Sequence, residues 1–179
     1  MNSFVKSCAA IAAMVMPFTA QAALVTGATA PSFDTQASIA GKPFAFSLAA
    51  ALKKGPVVLY FFPAAFTPGC TIEAHLFAEA SDEFAKMGAT VIGMSADKIE
   101  DLNRFSVLEC RNKFAVGVAT PKIIEGYDVK LGIPLVARSN RTSYVIAPGG
   151  KIIFAYAASS PAGHVTGTMD AVKAWKAAH

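Results

Sequence analysis

Charge is scarce in this sequence. Only 16% of its 179 residues are Asp, Glu, Lys or Arg, whereas 54% are hydrophobic. The basic excess is small, 16 Lys and Arg against 12 Asp and Glu. Those basic residues are scattered, which argues against a nucleic-acid patch and reads as ordinary solvation. His75, His164 and His179 have no ligand-like spacing with the cysteines, so no metal is expected and the three rings are read as solvated or partly packed. No glycine-rich phosphate loop occurs, and no cofactor is expected. Repeats and low-complexity tracts are absent. Cysteine is sparse too, limited to Cys8, Cys70 and Cys110.

Much of the apolar excess sits at the N-terminus. Lys6 lies in a short charged region, an apolar run extends from Cys8 to Phe18 with Pro17 near its end, and Ala20-Gln21-Ala22 follows. That is the layout of a secretory signal peptide. The run falls short of the roughly 20 apolar residues a spanning helix needs, and no polar face interrupts it as an amphipathic helix would require. Cys8 comes too early for lipid attachment. Cleavage after Ala22 is therefore expected, with export to the periplasm and no membrane association afterwards. The remainder, residues 23–179, is about 157 residues, one domain with enough chain to bury a core. It would keep only Cys70 and Cys110. In an oxidising compartment such a pair is commonly a structural disulfide, and counting alone leaves that open.

Residues 23–37 read as an extended lead-in. The run Val57–Phe62 is continuously apolar and β-favouring, as a strand buried on both faces would be, and Pro63 ends it. From Thr71 to Met87 apolar residues recur at helical spacing until Gly88. A second buried strand is expected at Thr90–Ser95, and Asp97 is a plausible cap for a helix from Lys98 to Cys110. Phe114–Val118 suggests a short strand. Residues 142–146 and 151–156 flank Ala147-Pro148-Gly149-Gly150 as a hairpin, and His164–Ala177 forms a closing helix. Strand, helix and strand in succession require a crossover and a parallel core, to which the hairpin adds antiparallel strands. The expected fold is α/β and thioredoxin-like, a central mixed β-sheet flanked by helices.

The loop Pro63-Ala64-Ala65-Phe66-Thr67-Pro68-Gly69-Cys70 joins a buried strand to a helix, so Cys70 lies at a helix N-terminus. Unpaired backbone N–H groups and the helix dipole there favour a sulfur anion. Thr67 can turn its hydroxyl toward that sulfur or a bound oxygen, and Pro63 offers no competing N–H. Glu73 is read as a structural carboxylate of the helix's first turn. Trp175 and the cluster Tyr60, Phe61, Phe62 and Phe66 are read as core and pocket wall.

Pro-x-x-x-Thr-x-x-Cys, filled by Pro63, Thr67 and Cys70, resembles the signature of peroxiredoxins. Gly27-x-x-Ala30-Pro31-x-Phe33, Pro68-Gly69-Cys70-Thr71-x-Glu73-Ala74 and Arg141–Ile146 are similar to the bacterioferritin-comigratory or Q-type branch. The resemblance implies a thiol-dependent peroxidase whose substrate is hydrogen peroxide or an organic hydroperoxide. It implies a peroxide oxygen held by Thr67, Arg141 and the amides around Gly69 and Cys70. An arginine fork suits that role, because it stays charged and reaches thiolate and substrate together. Export would require a local dithiol reductant, thioredoxin-like or another periplasmic donor, and a monomer or dimer is expected.

Two other readings compete. A thiol-disulfide oxidoreductase of the thioredoxin type normally needs Cys-x-x-Cys, but Thr71, Ile72 and Glu73 follow Cys70. A non-enzymatic binding or holdase module would not require Pro63, Thr67, Cys70 and Arg141 together. Many Q-type relatives carry a resolving thiol five residues after the reactive one, where this chain has His75. That departure leaves Cys110 as the candidate resolving cysteine, with Arg111 expected to favour its thiolate, the alternative being a one-Cys mechanism with an external resolver. Disulfide formation needs the two Cα atoms within about 7 Å.

Overall fold

The computed structural model describes residues 23–133 and 137–179, so the expected signal peptide lies outside the described residues. In chain order the elements are β1 (Asp34–Ile39), β2 (Lys42–Ser47), α1 (Leu48–Leu52), β3 (Val57–Phe61), α2 (Pro68–Lys86) and β4 (Thr90–Ser95). They continue with α3 (Ile99–Leu108), β5 (Ala115–Val118), α4 (Pro121–Gly126), β6 (Thr142–Ile146), β7 (Ile152–Ala157) and α5 (Ala162–Ala178). Seven strands form one sheet in the order β2-β1-β5-β4-β3-β6-β7. The β3–β4 and β4–β5 pairs are parallel and the others antiparallel, giving the expected mixed α/β architecture.

The apolar run of β3 is buried at every position. Successive strand residues face opposite sides. Val57, Leu59 and Phe61 accordingly join a core with residues of α1 and α4. Val58, Tyr60 and Phe62 join the core formed with α2, α3 and α5. Gly88, at φ +76° just past α2, provides the left-handed stop that a residue with a Cβ would resist.

Several boundaries depart from the sequence reading. The lead-in runs into β1, which pairs with β2 around Ala40 and Gly41, both at positive φ as a tight hairpin turn demands. Helix α2 starts at Pro68 rather than Thr71, because proline suits the first helical position, where its missing N–H has no partner to lose. Helix α4, whose N-cap Thr120 accepts from the Ile123 N–H, was not foreseen. Asp97 does not cap α3. Lys98 occupies that position without a side-chain bond, and the helix ends at Leu108, so Cys110 lies beyond it.

The fold brings distant segments together at one end of the sheet. Thr142 pairs with Phe61, the last residue of β3, so Arg141, one residue before Thr142, falls beside the loop leading into α2. The C-terminal end of β4 borders the same loop, where open α/β sheets characteristically build their sites.

Candidate active site

Thr67 is the N-cap residue of α2, and its hydroxyl makes no capping bond. It donates instead to the Ala64 carbonyl at 2.9 Å. The first intrahelical bond runs from the Thr71 N–H to the Thr67 carbonyl at 2.9 Å, so the Gly69 and Cys70 amides precede the intrahelical ladder. Cys70 sits at the third helical position with only 2% of its surface exposed. The Arg141 Nη2 lies 3.6 Å from its Sγ. A Cβ built on Gly69 would stand 3.0 Å from that nitrogen, so glycine leaves the guanidinium room over the first turn.

Arg141 is held by its other nitrogens. Its Nε donates to the Ser159 carbonyl at 3.1 Å and its Nη1 donates to Glu73 Oε2. Glu73 therefore needs correction. It stands in the second turn of α2, fully buried behind the guanidinium. Burial pushes its carboxyl up to about 8, with Arg141 pulling the other way. Its Oε1 has no hydrogen-bond partner among the described residues, and the His164 Nδ1 is 3.8 Å away.

His164 is fully buried, contrary to the expectation of a solvated or partly packed ring. Its Nε2 lies 2.9 Å from the Ala158 carbonyl and its Nδ1 2.8 Å from the Ser143 hydroxyl. A carbonyl only accepts, so Nε2 carries the proton and Nδ1 accepts from Ser143. Burial lowers this imidazole to about 4, which keeps it neutral at neutral pH.

Phe66, in the loop before Thr67, adopts φ +63°, a costly conformation for a bulky residue. Its ring is partly exposed, meets Phe105 edge-on at 5.3 Å and lies under the Arg104 guanidinium at 5.3 Å. Tyr60, Phe61 and Phe62 are core, as expected, whereas Trp175 is only half-buried and stacks on His179 at 4.9 Å.

Cys70 and Cys110 are free and buried in the same apolar cluster. Cys110 is fully buried, and burial pushes its thiol up, with Glu109 adding to the effect. The expectation that Arg111 favours its thiolate therefore fails. Arg111 turns outward to Glu79 at 3.3 Å. It is one of three successive ties between α2 and this segment, with His75 to Glu109 at 2.7 Å and Asp82 to Lys113 at 3.0 Å. Residues 75, 79 and 82 share one helix face, and they meet 109, 111 and 113 in order.

The arrangement brings a nearly buried sulfur, a fixed guanidinium and unbonded helical amides to one point, a setting that can stabilise negative charge developing on an oxygen beside the sulfur. The AhpC/TSA family model matches residues 26–155. This chain is a peroxiredoxin of the AhpC/TSA family. The peroxiredoxin is 34% identical to peroxiredoxin Bcp of Escherichia coli K12 over 100 residues, 54% of this chain and 64% of that protein. It is 40% identical to the chloroplastic peroxiredoxin Q of Sedum lineare over 85 residues, 48% of this chain and 44% of the other. Its backbone matches the crystal structure of peroxidoxin BcpB from Mycobacterium tuberculosis with a TM-score of 0.75 and 29% identity, covering 83% of this chain and 96% of that one. These relatives make it a Bcp/Q-type peroxiredoxin, a thiol peroxidase on a thioredoxin fold.

Three contributors to this peroxiredoxin's site have roles that no local signal in the sequence reveals. Glu73 reads as structural along the chain, because its pairing with Arg141 requires the fold. His164 and Ser143 carry no local motif. Their signal is positional only, a polar residue in a buried strand and a histidine opening a helix.

Proposed function

We propose that this peroxiredoxin reduces hydrogen peroxide and small organic hydroperoxides with Cys70 as the attacking atom. The observation that carries the reading is the 3.6 Å approach of the Arg141 Nη2 to Cys70 Sγ at the opening turn of α2. The Cys70 thiolate attacks one peroxide oxygen. An S–O bond forms as the O–O bond breaks, the sulfur is oxidised to a sulfenic acid, and the departing alkoxide or hydroxide takes a proton to leave as alcohol or water. Arg141 and the Gly69 and Cys70 amides stabilise the charge on the departing oxygen. Thr67, with its own proton committed to Ala64, accepts from the peroxide O–H, and Pro63 keeps a competing backbone donor out of the pocket.

The sulfenic acid must be captured before further peroxide carries it to the sulfinic form. Cys110 is the resolving thiol in this reading. Its sulfur attacks the Cys70 sulfur, the S–S bond forms as the S–O bond breaks, and the sulfenic hydroxyl takes the proton given up by the Cys110 thiol and leaves as water. An external thioredoxin-like dithiol then reduces the disulfide by exchange and is itself oxidised. The N-terminal 22 residues direct export, so that dithiol belongs to the periplasm.

Peroxide consumption by the purified mature protein, with dithiothreitol and then with a periplasmic thioredoxin-like protein as donor, tests the reading. Turnover is expected in the wild type and none in Cys70→Ser. Wild-type rates in that variant would overturn it.

A further inference from the structure

The sequence singled out Asp97 as a helix cap, and the structure sends its carboxylate elsewhere. Oδ2 accepts from the Ala65 backbone N–H at 2.7 Å and from the Ser95 hydroxyl at 2.7 Å. Oδ1 accepts from the Arg138 Nη1 at 3.2 Å. That same Nη1 donates to the Pro63 carbonyl at 2.7 Å. One residue on, the Ser139 hydroxyl donates to the Phe62 carbonyl at 3.0 Å. The loop from Phe62 to Ala65 is thus gripped from two sides, by the segment after β4 and by the segment before β6.

The grip bears on the reacting centre through one atom. Ala64 lies between Pro63 and Ala65, whose backbone groups Arg138 and Asp97 hold, and its carbonyl receives the Thr67 proton. With that proton committed, Thr67 Oγ1 has only lone pairs to offer. A hydroxyl free to rotate would present its proton instead, to the sulfur or to solvent, and would compete with the peroxide it has to accept from. Phe66, between the held loop and Thr67, adopts an unfavourable left-handed conformation, which persists only where surrounding contacts over-determine it. Asp97 carries the charge that makes its bonds shorter and stronger than neutral ones, and only 13% of its side chain is exposed.

We propose that Asp97 and Arg138 are positioning residues for peroxide, a carboxylate–guanidinium clamp that holds Pro63–Ala65 so that Thr67 Oγ1 faces the substrate as an acceptor. The clamp touches neither the sulfur nor the substrate. It rests on the reading of Cys70 as the peroxide-attacking atom, and it predicts a split between two reactions of that sulfur. Alkylation by iodoacetamide needs a thiolate and access. Oxidation by peroxide needs, in addition, the aligned acceptor.

The test compares both second-order rates at Cys70 in full-length mature protein carrying Asp97→Asn or Arg138→Ala, with Arg138→Lys as the conservative control. Oxidation by hydrogen peroxide is expected to fall by roughly tenfold or more, as misalignment of a reacting geometry does. Alkylation is expected to stay within about twofold of wild type. Lysine keeps the charge and one donor, so Arg138→Lys should recover part of the oxidation rate. Unchanged oxidation in both variants would overturn the clamp, and so would oxidation and alkylation falling together, which marks a collapsed site. A wild-type protein that is alkylated at Cys70 and ignores peroxide would instead overturn the peroxidase reading itself.

Discussion

The Nε2 of His75 stands 2.7 Å from the Glu109 carboxylate and ties the helix that carries Cys70 to the residue before Cys110. With the Glu79–Arg111 and Asp82–Lys113 pairs it straps the Cys110 segment onto α2. Arg111 and Asn112 both adopt positive φ within that strap, a conformation that disfavours residues with a Cβ. Cys110 lies within this strap and is fully buried, so loosening the strap is expected to ease the proposed meeting of its sulfur with that of Cys70.

The first prediction concerns this loosening. The His75–Glu109 tie is a single partly buried hydrogen bond, worth on the order of 1 kcal/mol, so His75→Ala should leave the fold intact and speed Cys70–Cys110 disulfide formation by roughly two- to fivefold. Formation of the sulfenic acid should not change. Rapid quenching after one equivalent of peroxide, followed by peptide mass spectrometry, separates the two steps. Cys110→Ser should stop at the sulfenic acid, and normal turnover in that variant would remove Cys110 from the cycle.

Arg141 and Thr67 give the second prediction. Arg141→Ala removes a charged donor to the developing oxyanion, and Thr67→Val removes the peroxide's acceptor. Arg141→Ala should slow Cys70 oxidation by about 10²- to 10³-fold, the scale at which single oxyanion donors act, and Thr67→Val by roughly tenfold or more, through loss of substrate alignment. Stopped-flow oxidation rates equal to wild type would refute the roles assigned to both.

Behind Arg141, two buried groups tilt stability with pH in opposite directions. His164 is lowered from 6.5 to about 4 in the folded protein, so between those values the unfolded chain binds more protons. Its contribution is present above pH 6.5 and is lost as the pH falls toward 4, an effect on the order of 3 kcal/mol. Glu73 is raised from 4.5 to about 8, so its contribution is present below pH 4.5 and is lost as the pH rises through 8. Urea unfolding across this range should show the acid-side loss reduced in His164→Gln and the alkaline-side loss reduced in Glu73→Gln. Curves parallel to wild type in both variants would contradict these environments.

Export carries the fourth prediction. Mass spectrometry of the protein recovered from cells should find Ala23 at the N-terminus. An intact Met1 would refute the signal peptide and the periplasmic assignment.

Much of this protein was legible along the chain because the relevant signals are local. Val57–Phe62 is uniformly apolar, and a strand with both faces covered has no other pattern available. Helix α2 shows its period over 19 residues, enough for the repeat to speak. Pro63, Thr67 and Cys70 occupy one loop, so their spacing survives in the sequence as a motif. The edge hairpin was illegible for the opposite reason: Lys42, Pro43, Phe44 and Ala45 are all exposed, and strands without a buried face lack the alternation that reveals them.

What the tertiary structure alone decided lies between segments far apart in sequence. Glu73 and Arg141, or Asp97, Arg138 and Ala65, become partners only because β6 pairs against β3 and β4 ends beside the same loop. Asp97 illustrates the limit well, since its sequence neighbours advertise a helix cap, whereas in the fold its two oxygens meet Ala65, Ser95 and Arg138. Local spacing encodes what a single element can present to solvent or core. A buried charge must find its counter-charge wherever the chain returns, because an unpaired carboxylate away from water costs more than any local preference supplies.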